Sequence, residues 1–227
     1  MKIREMPKIL RLSCGKNAKM AETDIGRSCF VSCWTKQSDE IITMWEMYGN
    51  KKHGVRIGFE NEDIFDPDFV YHSSKGNTKR LFELDQKSRQ VLPEFFDIVY
   101  KDDIPEAIQT DFYEISFDGV GRFKSKDWSF QKESRFRFFA ARDESDGKMR
   151  LYTSKSLQLG TVFDDASRND ERLYFKLRDG FKEAMYITKG PEMSRAEEEL
   201  FDGLVKKYKI DEGIITDSKF QNYCNKD

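Results

Sequence analysis

The sequence predicts an α+β fold: a single domain over residues 1–227, built from mixed short-stranded sheets with flanking helices. Two observations carry this expectation. Short runs rich in β-branched and aromatic residues recur along the chain without the steady strand–helix alternation of a parallel α/β fold. Two longer segments, near residues 38–48 and 191–208, instead place apolar residues at helical spacing between helix start and stop signals. A chain of 227 residues, 19 of them Phe, is long enough and apolar enough to bury a real core.

Residues 1–27 are weakly patterned, with "KILRLS" as a candidate short strand. "CFVSCW" (29–34) is apolar on both faces, which predicts a central strand. "SDEIITMWEMYGNKKHG" predicts a helix capped by Ser38, with Asp39 and Glu40 in its first turn and Gly49 as its stop. Ile41, Met44, Trp45 and Tyr48 form its expected buried stripe. "GVRIGFE" (54–60) predicts a strand with Val55, Ile57 and Phe59 on one face. This strand–helix–strand stretch is the most legible unit of the chain.

Further on, residues 61–92 are polar and predicted helical from "KRLFELDQKSRQVL" (79–92), and "FFDIVYKD" (95–102) predicts a strand. Residues 103–116 are mixed and partly helical in expectation. The longest predicted strand is "WSFQKESRFRFFAA" (128–141). A charged, loop-like stretch (142–170) follows, with a turn at Asp146-Gly147. Strands at 172–177 and 183–188 are predicted to join through Asp179-Gly180. "PEMSRAEEELFDGLVKKYKI" is the clearest helix, with Pro191 near its start, three early glutamates and Lys206-Lys207 in its last turn. "GIITDS" predicts a closing short strand.

The charge balance, 39 basic against 41 acidic residues, argues against a generic nucleic-acid-coating protein and leaves room only for a local basic face. No leader peptide and no apolar run of membrane-spanning length are visible, so a cytoplasmic protein without a membrane partner is expected. Cys14, Cys29, Cys33 and Cys224 form no CxxC pair and read as reduced thiols. The two histidines, His53 and His72, are too few for a convincing metal site, and no metal is expected. Neither of the two common glycine-rich phosphate loops occurs.

Chemistry concentrates in "WSFQKESRFR". Strand alternation places Ser129, Gln131, Glu133, Arg135 and Arg137 on one face, with Phe130, Phe136 and Phe138 on the other. One reading is a solvated strand face whose charges pair with each other. The other is a site in which arginines orient an ionised glutamate and offer donors to phosphate or carboxylate. In "RSCFVSCWTKQSDEIITMWEMY", Trp45 and Tyr48 could stack on a planar ring, although core packing at helical spacing is the better explanation of Trp45. No histidine is placed to activate Cys33 as a nucleophile.

The blocks "CFVSCWTKQSDEIITMWEMYGNKKHGVRIGFE", "IVYKDD", "FKSKDWSFQKESRFR", "KGPEMSRAEEELFDGLVKKYKI" and "TDSKF" together resemble the bacterial domain-of-unknown-function 2971 family (DUF2971) over about residues 27–220. The aromatic-rich opening usual in that family is not recognisable here. The layout of the family is similar to ADP-ribosyltransferase-like folds, which divide an NAD site over three strands. That similarity implies Gln131 and Glu133 as catalytic residues. Glu133 would bind the nicotinamide ribose hydroxyl and stabilise an oxocarbenium-like transition state, and Gln131 would orient the acceptor. Arg135 would shape the acidic site, Ser32 or Tyr48 would fill the middle position, and Arg27 or Arg11 the first strand. Trp45, Lys124 and Trp128 complete the substrate-binding set.

NAD is then expected as a co-substrate, with no tightly bound cofactor, in a toxin or anti-phage effector. Two further readings stand beside this one. The first is a non-catalytic module binding a small nucleotide-type ligand, or a nucleic-acid end, through Arg122, Lys124, Arg135 and Arg137. The second is a protein-interaction domain. Oligomeric state is not legible in the sequence.

Overall fold

The structure, a computed structural model, describes residues 28–66, 72–75, 78–81, 91–103, 109–110, 115–142, 149–155 and 172–221. The fold is α+β, with several small sheets and short helices. In chain order the elements are β1 (Cys29–Thr35), α1 (Ile42–Tyr48), β2 (Val55–Phe59), β3 (His72–Lys75), β4 (Thr78–Leu81), β5 (Glu94–Asp97), β6 (Val99–Lys101), β7 (Gln109–Thr110), β8 (Ile115–Ser116), β9 (Phe123–Ser125), a 3-10 helix (Lys126–Gln131), β10 (Glu133–Arg142), β11 (Met149–Tyr152), β12 (Arg172–Tyr174), β13 (Met185–Lys189), α2 (Arg195–Tyr208), a 3-10 turn (Glu212–Ile214) and β14 (Ile215–Asp217). They form two compact units: residues 1–36 with 65–176, and residues 37–64 with 177–227.

In the first unit β10 is the organising strand. It pairs antiparallel with β1 along one side, and with β5 and then β11 along the other. β10 therefore takes the central place predicted for the 29–34 segment. Its even-numbered face carries the aromatic core. Phe136 meets Phe95 at 4.6 Å and Phe65 at 4.9 Å between ring centroids. Phe138 stacks on Phe30 at 5.4 Å and meets Phe175 at 4.6 Å. Ala140 and Leu151 extend the cluster.

The odd-numbered face, Glu133, Arg135, Arg137 and Phe139, is also buried. The segment from Phe117 to Gln131 is what contacts it, through backbone carbonyls, Phe117 and the Lys124 side chain. A solvated strand face is thus excluded: Arg137 is fully buried.

β10 begins at Glu133, not at Trp128. Residues 126–131 wind into the 3-10 helix because Ser125 accepts from the backbone N–H of Asp127 and also donates to its carboxylate, a local turn that competes with strand pairing. Lys132 ends it in the left-handed region (φ 42°) and redirects the chain into the sheet. Lys79–Leu81, predicted as the start of a helix, lie in β4, which pairs with β3. The "KILRLS" segment, residues 82–90 and the turn at Asp146-Gly147 lie outside the described residues.

The second unit holds the sheet β14-β13-β2, with α2 crossing between the parallel strands β13 and β14. The two strands predicted to join through Asp179-Gly180 therefore do not pair: β12 pairs with β3 in the first unit. Likewise β1 and β2 belong to different sheets, so the legible strand–helix–strand stretch passes from one unit to the other. α1 starts at Ile42 without a side-chain cap, later than predicted. Glu40 instead accepts from the Trp45 indole (2.8 Å), the Ser218 hydroxyl (2.6 Å) and the Lys219 backbone N–H (3.0 Å). Ser194 and Glu197 cap α2 reciprocally. Among the described residues no helix is long and apolar enough to cross a membrane.

Candidate functional site

The odd face of β10 assembles a layered cluster of charges. At its inner end the Arg137 guanidinium donates to Glu94 Oε2 (3.0 and 3.2 Å) and to the carbonyls of Asp118 (2.9 Å) and Val120 (2.6 Å). Its plane lies over Phe96, 4.5 Å from the ring centroid. Ser154 fixes Glu94 through its backbone N–H (2.9 Å) and its hydroxyl (2.7 Å). Every strong donor on Arg137 therefore faces a charge or a carbonyl, which makes this a structural buried cation.

One pleat along, Arg135 Nε donates to Glu133 Oε1 (2.6 Å) and Nη1 donates to the Gly121 carbonyl (2.6 Å). Gly121 adopts φ +72°, a conformation glycine enters without steric cost. Lys124, arriving from β9, donates to Glu133 Oε2 at 2.7 Å and also to Gln131 Oε1. Its ammonium lies 5.1 Å from the centroid of the Trp128 ring. The Glu133 backbone N–H donates to the Tyr100 hydroxyl (2.8 Å), and its carbonyl accepts from Ile98.

These contacts set the protonation of the cluster. Burial pushes the Glu133 carboxyl upward, but hydrogen bonds from Arg135, Lys124 and the Cys33 thiol outweigh it and hold it below the ordinary range. Glu133 is accordingly an ionised carboxylate that accepts from two cations and a thiol. Burial, aided by the Glu133 charge against the pull of Arg135, raises Cys33. Burial pushes Cys29 up to about 12. Both are free thiols in their neutral form, consistent with reduced cysteines and not with an activated nucleophile.

Gln131, Glu133, Lys124, Trp128 and Arg135 thus come together in the first unit. The route differs from the predicted one: Gln131 stands on the 3-10 helix, not on a strand, and the shared Lys124 ammonium is what joins it to Glu133. Ser32 pairs in register with Phe136, which places it on the aromatic face of the sheet, opposite Glu133. Its hydroxyl accepts from the Trp34 indole at 2.9 Å. Cys33, in register with Arg135, takes the position on the Glu133 side.

Trp45 and Tyr48 belong to the second unit. Trp45 is buried there, whereas Tyr48 is 56% exposed and leaves the predicted apolar stripe. Arg27 and Arg11 lie outside the described residues. Sequence reasoning passed over Tyr100 and Cys33 as parts of this cluster; the β1–β10 register reveals Cys33, and the hydrogen bond to the Glu133 backbone reveals Tyr100. Among the described residues no group of three or more His, Cys, Asp or Glu side chains is arranged to hold a metal ion.

No curated protein and no solved structure matches the chain. A family model does: the family described as a protein of unknown function, DUF2971, matches residues 44–136, a span that holds Lys124, Trp128, Gln131, Glu133 and Arg135.

Proposed function

We propose that the cluster around Glu133 binds a small anionic ligand of nucleotide type. The observation that carries this is the set of donors left over once the cluster has paired. Lys124 has three ammonium N–H groups and spends two, on Gln131 and Glu133. Arg135 has five N–H groups and spends them on Glu133 through Nε, on the Gly121 carbonyl through Nη1 and on the Cys33 thiol, which leaves N–H groups over. One carboxylate orients both cations, and the remaining donors suit phosphate oxygens. The half-buried Trp128 ring beside Lys124 is suited to stacking on a base. So few donors, in a chain of near-neutral net charge, fit a small ligand better than a nucleic-acid strand. We place this activity in the cytoplasm.

A second reading rests on one further observation: Glu133 is ionised and shares Lys124 with Gln131. An ADP-ribosyltransferase-like enzyme using NAD as co-substrate needs such a carboxylate, to take the nicotinamide ribose hydroxyl and steady the developing positive charge. A toxin or anti-phage effector would be its setting.

One experiment separates the two. Purified protein is titrated with AMP, ADP and NAD by calorimetry, and NAD loss is followed by chromatography. Wild type is compared with Lys124→Met, Trp128→Ala and Glu133→Gln, with thermal unfolding as the control for folding. Binding that falls about tenfold or more in Lys124→Met, without NAD loss, supports the binding module. NAD loss in wild type that vanishes in a folded Glu133→Gln supports the enzyme. No binding and no turnover in wild type overturn both.

A further inference from the structure

Helix α2 presents an apolar stripe that its own unit leaves uncovered. Leu200, Leu204 and Tyr208 recur at four-residue spacing and are 66%, 43% and 54% exposed. Beside them sits Gly203 in the middle of the helix. Glycine weakens a helix interior relative to alanine, and a Cβ built on Gly203 would meet nothing within 4 Å. Nothing among the described residues requires that glycine. A helix from outside, approaching closely at this position, would.

Charge along α2 identifies the outside helix. The N-terminal half carries Glu197, Glu198, Glu199 and Asp202, and the C-terminal half Lys206, Lys207 and the C-cap Lys209. Glu199 and Lys207 stand four residues before and four after Gly203 on one flank of the stripe. A second α2 laid antiparallel, with its two-fold axis beside Gly203, sets Glu199 of one copy opposite Lys207 of the other on both sides. It also sets Leu200 against Tyr208 and Leu204. Parallel stacking would instead oppose acid with acid and base with base. We propose that the Leu200–Leu204–Tyr208 face of α2 is a self-association surface, through which two copies of this chain pair as an antiparallel, two-fold symmetric helix dimer.

A contact of one helix per partner is small, so the dimer is reversible, with dissociation at about micromolar concentrations. Sedimentation of the full chain from ~1 to ~500 µM tests it. Wild type is expected to move from the mass of one chain towards twice that mass. Leu204→Glu is expected to raise the dissociation constant at least about tenfold. Glu199→Lys and Lys207→Glu, both exposed, each weaken the helix only slightly, through the Arg195 pair or the helix dipole, and are each expected to weaken the dimer about 2- to 5-fold. Combining them should restore wild-type affinity, which only the antiparallel arrangement predicts. Gly203→Ala should weaken the dimer while raising the melting temperature of the dilute monomer. A chain that stays monomeric to ~500 µM overturns the proposal, as does a dimer indifferent to Leu204→Glu. Failure of the double charge reversal to restore pairing overturns the antiparallel geometry.

Discussion

Lys124 Nζ stands 2.7 Å from Glu133 Oε2, in a position where the lysine side chain is 11% exposed and the glutamate 7%. With Arg135 on the other carboxylate oxygen, Glu133 is, among the described residues, the one anion bonded to both of these cations. Replacing it by glutamine keeps the shape but leaves two largely desolvated cations without a counter-charge. Removal of one partner of a buried pair costs about 3–5 kcal/mol, and we expect Glu133→Gln to lose about 3 kcal/mol in urea unfolding. Lys124→Met, which leaves Arg135 in place, should lose about 1–2 kcal/mol. A loss below about 1 kcal/mol in Glu133→Gln would mean that water screens the cluster.

The same pair predicts a dependence on pH. The folded-state pKa of Glu133 lies below its ordinary value of 4.5. Its ionised form therefore stabilises the fold fully above that value, and the contribution fades as pH falls and the folded-state carboxylate takes its proton. The stability gap between wild type and Glu133→Gln should be constant from pH 7 to about 5 and shrink towards pH 3. A gap that instead widens on acidification would contradict the ion cluster.

Arg137 makes a sharper demand. It is fully buried and divides its donors between Glu94 and two carbonyls. Arg137→Met leaves the Glu94 carboxylate, among the described residues, with Ser154 as its donor, and leaves the Asp118 and Val120 carbonyls short of one. We expect a loss of about 3–5 kcal/mol. Arg137→Lys should recover little of it, because an ammonium cannot reproduce the guanidinium fork. Equal melting temperatures for wild type and Arg137→Lys would show that the charge alone matters.

Alternation in the sequence correctly places Glu133, Arg135 and Arg137 on one strand face, because side-chain period depends only on local backbone geometry. It misplaces the start of the strand, since the Ser125–Asp127 turn is a side-chain effect that an apolar/polar pattern does not register. The burial of that face was also illegible. Its partner Glu94 lies 43 residues away and arrives through β5, and such pairing is tertiary. Ser32 and Cys33 illustrate the limit best. The sequence shows that they alternate, but which of them faces Glu133 follows from the β1–β10 register, where a slip of one residue would exchange them. The helix pattern of α2, by contrast, is local and the helix is found within the predicted stretch, but it starts at Arg195 and not near Pro191, because Ser194 and Glu197 cap it there.

Gly190 is a position where packing excludes any larger residue. Its N–H donates to the Gly54 carbonyl at 2.8 Å, and a Cβ there would stand 2.6 Å from that same oxygen and against the Lys52 carbonyl as well. Both are backbone atoms that cannot swing away. Gly190→Ala should therefore destabilise the fold by about 2–3 kcal/mol, whereas Gly203→Ala, with open space around it, should not. Similar melting temperatures for the two variants would place the Gly54 and Lys52 carbonyls farther away than they are here.

Glu197 joins helix capping to pH. Its carboxylate accepts from the Ser194 backbone N–H (2.8 Å), from His53 (2.9 Å) and from the Ser194 hydroxyl (2.8 Å), which together hold its pKa down at about 2. A carboxyl with a depressed folded-state pKa stabilises the fold above its ordinary value of 4.5, and the contribution is lost as pH falls towards about 2. Carbon-detected NMR of the side-chain carboxyl should show Glu197 still ionised at pH 3, when ordinary glutamates are protonated. In Ser194→Ala two of its three donors change, the hydroxyl disappearing and the backbone N–H losing its fixed geometry. The titration should then move up towards 4.5, and the helix should lose about 1 kcal/mol. His53→Ala removes only the third donor and should move it less. If Glu197 titrates with the bulk of the glutamates in wild type, the reciprocal cap is open in solution and α2 begins later than Arg195.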